Sequence, residues 1–160
     1  EWVRSATCFV SGTKILMLDQ SEKNIENIKI GDNILGVNTT SFKIEKDKVI
    51  NITKFKSKRI IKMILEDGKI FEFTEDHPFW VVGKGWSVFN VQQAKTTLAF
   101  EVTEIMKKDY ILIYDKGKLI PVKIIELYDT NEFKDVYNLD NVENNNTFFA
   151  NKALVLNRAN

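Results

Sequence analysis

Cysteine and histidine are almost absent from this chain, because Cys8 and His77 are the only ones among its 160 residues. One thiol cannot form an internal disulfide, and one thiol with one imidazole supplies too few ligands for a zinc site of the Cys/His kind. Disulfide-stapled and zinc-stapled folds are therefore excluded. We expect no metal and no other cofactor.

Long apolar runs and an excess of one charge are missing as well. No segment approaches the roughly 20 apolar residues of a membrane span, and residues 1–4 lack the apolar core of a signal peptide. The 23 basic and 22 acidic side chains leave a formal charge of +1, which gives no general field for a polyanion. We therefore expect a soluble protein, in the cytoplasm by preference, that binds neither nucleic acid nor membrane. We also expect it to be a monomer.

Short apolar runs with an alternating pattern dominate the rest of the sequence, and these predict an all-β fold with one or two short helices. Asp67-Gly68 lies between two such runs and predicts a hairpin. Residues 21–28, which begin with the N-cap candidate Ser21, and residues 91–98 are the two segments with a helical pattern. The predicted strands are residues 14–18, 49–52, 62–65, 69–73, 111–114 and 122–125.

The chain contains a weak internal repeat. Residues 32–35 align with 109–112, residues 49–52 with 122–125, and residues 73–79 with 149–155, at separations between 73 and 77 residues. Three matches in the same order indicate a duplicated β-unit with pseudo-two-fold symmetry, and two copies are too few for a solenoid. Such a symmetry lets the first and last strands meet, which would bring Cys8 close to Asn157.

Four features remain once these strands are set aside: Cys8, the Thr74-Glu75-Asp76-His77 segment, the Phe148-Phe149-Ala150-Asn151 segment, and Asn157. Each has an ordinary explanation when taken alone. A lone cysteine is most often a small buried apolar residue, and a histidine beside a proline is usually structural. Their order along the chain is what points to chemistry.

With its motifs in this order, the chain resembles the Hint superfamily of inteins and Hedgehog-type autoprocessing domains, and most closely a minimal bacterial-intein-like domain. Four blocks carry the resemblance: residues 8–15, 28–36, 73–79, and 136–139 leading through 148–151 to Asn157. The resemblance implies a horseshoe of β-strands formed by residues 8–157. It also implies that residues 1–7 and 158–160 are flanking segments, which are the domain's own partners and substrates.

In such a domain, a cysteine directly after the scissile bond attacks the preceding carbonyl through a small ring. Cys8 would thus convert its peptide bond to Thr7 into a thioester in an N-to-S acyl shift. The departing amine must be protonated, and His77 is the sole imidazole available. By resemblance, Thr74 contacts the scissile peptide. Asp76 is an accessory candidate, but we favour a solvated turn position for it and for its neighbour in the motif.

At the other end, the resemblance implies that Asn157 cyclises to a succinimide and cuts its bond to Arg158. Inteins usually carry a histidine where Leu156 stands, and many carry another where this chain has Asn146, so we expect slow cutting at this end. Arg158 provides no nucleophile for ordinary splicing. The resemblance therefore implies single-turnover cleavage at either end, acyl transfer to an external amine or thiol, or a different splicing route.

Three alternatives remain open at this point. A degenerate Hint domain would keep the fold as a spacer or interaction module, and Leu156 and Arg158 favour that reading. A Cys-His amidase or transferase acting on other molecules would need an open cleft in which His77 activates Cys8. The third alternative is a β binding domain unrelated to Hint.

Overall fold

The computed structural model of this chain describes residues 8–157, and within this range it is built almost wholly from strands. The all-β prediction is confirmed. In chain order the elements are β1 (Phe9–Val10), β2 (Lys14–Leu16), β3 (Glu22–Asn24), a 3-10 turn (Ile25–Asn27), β4 (Asn33–Asn38), β5 (Lys43–Leu65), β6 (Ile70–Phe73), β7 (Phe79–Val81), β8 (Gly85–Val88), α1 (Val91–Thr97), β9 (Thr103–Glu104), β10 (Tyr110–Asp115), β11 (Lys118–Val142), β12 (Thr147–Ala150) and β13 (Ala153–Leu156).

Two long strands, β5 and β11, form the backbone of the architecture. They run antiparallel to each other from the pair Leu65 and Ile124 to the pair Val49 and Val142, with several bulges between. Across the sheet, neighbouring strands follow the order β3-β2-β12-β13-β7-β10-β11-β1-β6-β5-β4, and outside this order β8 pairs with β7 and β9 pairs with β8. Among the strands of residues 8–157, the pairings are antiparallel except that of β8 with β9, which is parallel.

The pseudo-two-fold repeat is visible in matching main-chain hydrogen bonds. The N–H of Val49 donates to the carbonyl of Asp32 at 3.0 Å, and the N–H of Ile124 donates to the carbonyl of Asp109 at 2.8 Å. In each case the carbonyl belongs to the residue just before the first strand of a hairpin, β4 or β10, and the N–H belongs to the second strand, β5 or β11. The structure shifts one predicted correspondence, since Val49 matches Ile124 and not Val122.

An aromatic cluster forms the centre of the core. Alternation along β6 turns Phe71 and Phe73 inward, where both are fully buried, while Ile70 is exposed. The ring of Phe73 lies 4.8 Å from that of Phe79, and the ring of Phe9 is 5.9 Å from the same partner. Because Phe9 follows Cys8 directly, this cluster fixes the chain immediately after the candidate nucleophile.

The two helix predictions have different outcomes. Residues 91–98 do form a helix, α1, and the side chain of Asn90 caps it by accepting the N–H of Gln93 at 3.1 Å. The prediction for residues 21–28 is wrong, because this segment pairs with β2 as β3 and only then makes one 3-10 turn. None of the helical segments within residues 8–157 is long and apolar enough to cross a membrane.

The hairpin at Asp67-Gly68 is confirmed. Strands β5 and β6 pair antiparallel up to Ile64 and Ile70, and the N–H of Gly68 donates to the carbonyl of Leu65 at 2.9 Å. Gly68 has a φ of +92°, which a residue with a side chain adopts only under strain. The turn therefore sets the register of β6, which carries the chain into Thr74.

Candidate active site

Cys8 enters the sheet between two strands from distant parts of the chain. Strand β1 pairs with β6 on one side and with β11 on the other, both antiparallel. Continued from Phe9 to Cys8, these registers place Thr74 on one side of Cys8 and Asn138 on the other. Cys8 thus has a neighbouring strand segment on each side, and its main-chain N–H and carbonyl both bond to Thr74.

The Thr74 hydroxyl binds the amide on the amino-terminal side of Cys8. Its Oγ1 accepts the Cys8 N–H at 2.8 Å, in a buried hydrogen bond. The main-chain N–H of Thr74 donates to the Cys8 carbonyl at 3.0 Å, and Oγ1 lies 3.4 Å from the same carbonyl oxygen. The nitrogen that Thr74 holds belongs to the bond between Thr7 and Cys8, although Thr7 lies outside the described residues.

The Cys8 side chain is fully buried in an apolar setting with Ile60 and Val136. This burial raises the pKa of the Cys8 thiol well above its usual range, and the negative charges of Asp76 and Asp140 add to the rise. Lys58 acts in the opposite direction with a smaller effect. At neutral pH the group is therefore a thiol, and its proton must leave as the sulfur attacks.

The position of Asp76 corrects one sequence-based prediction. Its side chain is 1% exposed, so it is not a solvated turn residue. Its neighbour Glu75 is partly buried and anchors the turn from outside, since its carboxylate accepts the Asn90 side-chain amide at 3.0 Å and its carbonyl accepts the Asn90 N–H at 2.9 Å. These two hydrogen bonds to Asn90, at the start of α1, hold Glu75 outward and leave Asp76 facing the interior.

His77 is buried on the same turn. Its main-chain N–H donates to the Thr74 carbonyl at 3.2 Å, which fixes the spacing between the two motif residues. Its ring lies 4.3 Å from the ring of Phe9 and 6.3 Å from that of Phe148. The imidazole therefore packs against the residue that directly follows Cys8.

A polar network on β11 was not predicted from the sequence. Asn138 donates its side-chain amide to Asp140 at 3.1 Å, and Asp140 is held in turn by Asn51 at 3.2 Å and by the Thr53 hydroxyl. The Oδ1 atom of Asn138 is buried and has no hydrogen-bond partner among residues 8–157. One feature of the sequence could have pointed to Asn138. It lies two residues after Val136, so both side chains lie on the same face of the strand, and both are buried.

Asn157 lies at the end of β13, next to the turn that carries the motif. The preceding N–H, that of Leu156, donates to the Pro78 carbonyl at 3.2 Å, and the Asn157 N–H donates to the Asn146 carbonyl at 2.8 Å. Asn157 is fully buried, and within residues 8–157 neither polar atom of its side chain has a hydrogen-bond partner. Residues 74–78 therefore border both Cys8 and Asn157.

The two positions where the family usually carries helper histidines differ in their surroundings. Leu156 is 6% exposed and its apolar side chain packs into the interior. The Asn146 side chain is exposed, and this residue contributes its main-chain carbonyl instead, with a φ of +58°. Arg158 lies outside the described residues.

Across the described range, no three His, Cys, Asp or Glu side chains lie close enough together to hold an ion.

Solved structures with the same fold cover nearly the whole chain. The DnaB intein from Synechocystis sp. PCC 6803 has a TM-score of 0.78 at 17% identity, with 95% of this chain and 99% of that chain covered. The gp41-1 intein has a TM-score of 0.66 at 22% identity, with coverages of 96% and 100%. At these identities the likeness shows the fold alone, which is the Hint fold.

A bacterial intein-like domain from Clostridium thermocellum, solved in solution, is similar at a higher identity. It shares 26% of its residues with this chain, at a TM-score of 0.72 and coverages of 96% and 100%. The predicted resemblance to inteins and bacterial intein-like domains is thereby confirmed at the level of the fold. A fold of this kind is compatible with self-processing.

Sequence families give a separate result. No curated protein matches the sequence significantly. A family model described as "Ataxin-1 and HBP1 module (AXH)" matches residues 9–116, more than half of the chain, and none of the motifs discussed above predicted it. The match covers β1 to β10 and leaves out both Cys8 and Asn157. By the sequence of residues 9–116 the chain belongs to the AXH family, and its fold is the Hint fold of inteins and bacterial intein-like domains.

Proposed function

We propose that this chain is a self-processing domain that cuts the peptide bond before Cys8 and, more slowly, the bond after Asn157. The observation that carries the proposal is the buried hydrogen bond from the Cys8 N–H to Thr74 Oγ1. It holds the nitrogen of the bond that a cysteine at this position can attack. The proposed domain spans residues 8–157, and the flanks 1–7 and 158–160 are its substrates.

The first step is an acyl shift from nitrogen to sulfur. Cys8 Sγ attacks the Thr7 carbonyl carbon, the bond from that carbon to the Cys8 nitrogen breaks, and a thioester remains with a free amine. The attacked carbonyl carbon is bonded to the nitrogen of the residue that carries the sulfur, so a ring closure of high effective molarity replaces a bimolecular encounter. The bond to Thr74 Oγ1 strengthens as the nitrogen gains positive charge, so it favours the transition state over the ground state.

Protons must move during this step, because the thiol is neutral at the start. Over the whole step, one proton leaves the Cys8 sulfur and one is gained by the departing nitrogen. Asn138 lies opposite Cys8 with its side-chain amide donated to Asp140, so its Oδ1 is available to accept a hydrogen bond from the thiol while that proton is transferred. His77 is the proposed general acid for the departing nitrogen, and it is placed by its ring contact with Phe9. Asp76 is buried on the same turn and supplies negative charge near the sulfur.

The second step is cyclisation of Asn157. Its side-chain nitrogen attacks its own carbonyl carbon, a succinimide closes, and the bond to Arg158 breaks with release of an amine. Burial keeps the side chain of Asn157 away from water, which would otherwise compete for its polar atoms. Leu156 cannot donate a proton to this carbonyl, so we expect the second cut to be slow.

The thioester has no acceptor at Arg158, since a guanidinium is not a nucleophile at neutral pH. We propose that an external thiol or amine, or water, resolves it. The reaction consumes each molecule once and requires no cofactor. No partner other than the chain's own flanks is needed for the first step.

A degenerate Hint domain is the second candidate, and the burial of apolar Leu156 at the position of the usual helper histidine favours it. The alternative of an amidase acting on other molecules has less support. A thiol that acts in trans needs exposure and a lowered pKa, whereas the Cys8 thiol is buried and its pKa is raised.

The test is intact-mass measurement of the purified chain over time, with and without dithiothreitol. Release of residues 1–7 should be faster with the thiol and independent of protein concentration, and Cys8→Ala should abolish it. Loss of residues 158–160 should be slower and absent in Asn157→Ala. A chain that keeps its full mass under all conditions is the degenerate domain, and a rate proportional to protein concentration supports action in trans.

A further inference from the structure

Asp47, on β5, is a buried carboxylate with no place in the mechanism above. Its side chain is 1% exposed. Oδ1 accepts the N–H groups of Lys48 and Asn144, each at 2.9 Å, and Oδ2 accepts the N–H of Asn145 at 2.9 Å. Both oxygens are therefore occupied by main-chain donors, two of which belong to the loop between β11 and β12.

This loop is attached to the hairpin of β4 and β5 at both ends. Just before the two loop amides that Asp47 binds, the N–H of Glu143 donates to the carbonyl of Lys48 at 3.0 Å. Just after the two loop amides, Thr147 Oγ1 accepts the N–H of Val37 at 2.8 Å and donates to the Val37 carbonyl at 2.9 Å. The hairpin thus acts as a platform on which residues 143–147 are fixed.

The same loop holds the candidate nucleophile of the second cut. Asn146 follows directly after the two amides that Asp47 binds, and its carbonyl accepts the Asn157 N–H at 2.8 Å. Asn146 has a φ of +58°, so its carbonyl direction depends on a backbone conformation that the loop must maintain. Two consecutive amides fixed on one carboxylate provide that restraint.

We propose that Asp47 is a positioning residue for Asn157: it fixes residues 144 and 145 so that the Asn146 carbonyl holds the Asn157 main chain in place. Succinimide closure depends on how the Asn157 main chain is aligned with its own amide, so a loosened main chain should slow the cut. This consequence for the rate rests on the proposed function. The positioning itself does not.

An aspartate is the side chain that fits this arrangement. Asparagine keeps one acceptor oxygen, but its NH₂ group would face a main-chain N–H, so one of the loop amides would lose its partner. Asp47→Asn is therefore a nearly isosteric test. Asp109→Asn is the control, because Asp109 Oδ2 also accepts a main-chain N–H, that of Met106 at 2.8 Å, together with the Lys84 ammonium at 2.9 Å, and it lies in the other half of the repeat.

The first measurement compares the two cuts within one molecule. For Asp47→Asn we expect cutting after Asn157 to slow by about tenfold or more, the equivalent of one lost charge-assisted hydrogen bond. The rate of thiol-induced release of residues 1–7 should change by less than about twofold in the same variant. Asp109→Asn should leave the ratio of the two rates unchanged. Equal slowing of both cuts by Asp47→Asn, or of neither, overturns the proposal.

The second measurement is amide hydrogen exchange in chains that carry Asn157→Ala, so that this end stays intact. Asp47→Asn should deprotect the amide of residue 157 together with those of Asn144 and Asn145, and unchanged protection at 157 overturns the proposal. If Asp47→Asn fails to fold, the three amides of the otherwise unaltered chain must show one shared opening free energy, and distinct values refute the coupling. A chain that never cuts after Asn157 refutes the proposed function at that end, while exchange at residue 157 still decides the role of Asp47.

Discussion

Replacement of Thr74 by valine tests the hydrogen bond on which the proposed chemistry depends. Valine has nearly the same shape but lacks the hydroxyl, so the Cys8 N–H, held at 2.8 Å in a buried position, loses its acceptor. A buried donor left without a partner costs about 1–3 kcal/mol of folding free energy. The melting temperature should therefore fall by several degrees.

The rate of amino-terminal cleavage should fall for a further reason. As the Cys8 nitrogen departs it gains positive charge, and a charge-assisted hydrogen bond is roughly twice as strong as a neutral one. Loss of that added strength, about 1–1.5 kcal/mol, slows thioester formation by about tenfold. Thr74→Ser keeps the hydroxyl and should remain within about threefold of the original rate. The assay is release of residues 1–7 in dithiothreitol, followed by mass.

Thr147→Val is the control for a loss of stability alone. Thr147 Oγ1 accepts the Val37 N–H at the same 2.8 Å, also in a buried position, but this bond joins β12 to β4, whereas β1 pairs with β6 and β11. We expect a similar fall in melting temperature and an unchanged amino-terminal rate. If Thr74→Val cuts as fast as the original chain, or if Thr147→Val slows the cut equally, the Thr74 bond has no special part in the reaction.

Four further changes test other parts of the structure. The raised pKa of Cys8 means that the folded chain holds this proton more tightly than the unfolded chain, so the free energy of unfolding should decline as pH rises above about 8.5, and Cys8→Ala should remove this decline. His77→Ala should slow amino-terminal cleavage by about 100-fold to 10,000-fold, measured by mass. Leu156→His should speed the cut after Asn157, because it restores a proton donor. Gly36→Ala should lower the urea midpoint, since its Cβ would lie 2.8 Å from the Thr147 carbonyl oxygen.

Each of these has a result that contradicts it. An identical pH dependence in the Cys8→Ala chain would mean that the thiol is not the titrating group. Phe148→Leu disturbs the same aromatic cluster as His77→Ala, so an equal loss of rate in both would make the His77 effect one of packing. A folded Leu156→His chain that cuts no faster shows that another group already supplies the proton. An unchanged urea midpoint for Gly36→Ala would mean that β4 and β12 can move apart.

Local patterns in the sequence predicted the strands well and their lengths poorly. Alternating residues such as 62–65 and 122–125 are parts of β5 and β11, whose full lengths are 23 and 25 residues. Bulges break the alternation within these long strands, for example at Ser57, with a φ of +55°. The mistaken helix at residues 21–28 has a similar origin, because pairing with β2 overrides a helical pattern that is purely local.

The residues of the candidate site also fall into two groups, those that the sequence could predict and those that only the structure shows. Cys8, Thr74, His77 and Asn157 stood out because a family pattern orders them along the chain. Asn138, Asp140 and Asp47 carry no such local signal, since their significance depends on strand register and on a loop from another part of the chain. Only the structure shows that Asn138 lies opposite Cys8.

The pairing of β1 also has a consequence for when the chain reacts. Phe9 pairs with Tyr137, and Ile15 pairs with Ala150, so the first strands of the domain are completed by almost the last. Folds dominated by such distant pairings form slowly, because long loops must close before the contacts stabilise them. Until β11 is in place, Cys8 lacks its second neighbouring strand and the apolar packing of Val136 against its side chain. The first cut can therefore begin only once the chain has folded. Mutations that slow folding should delay cleavage even when the structure of the folded site is unchanged.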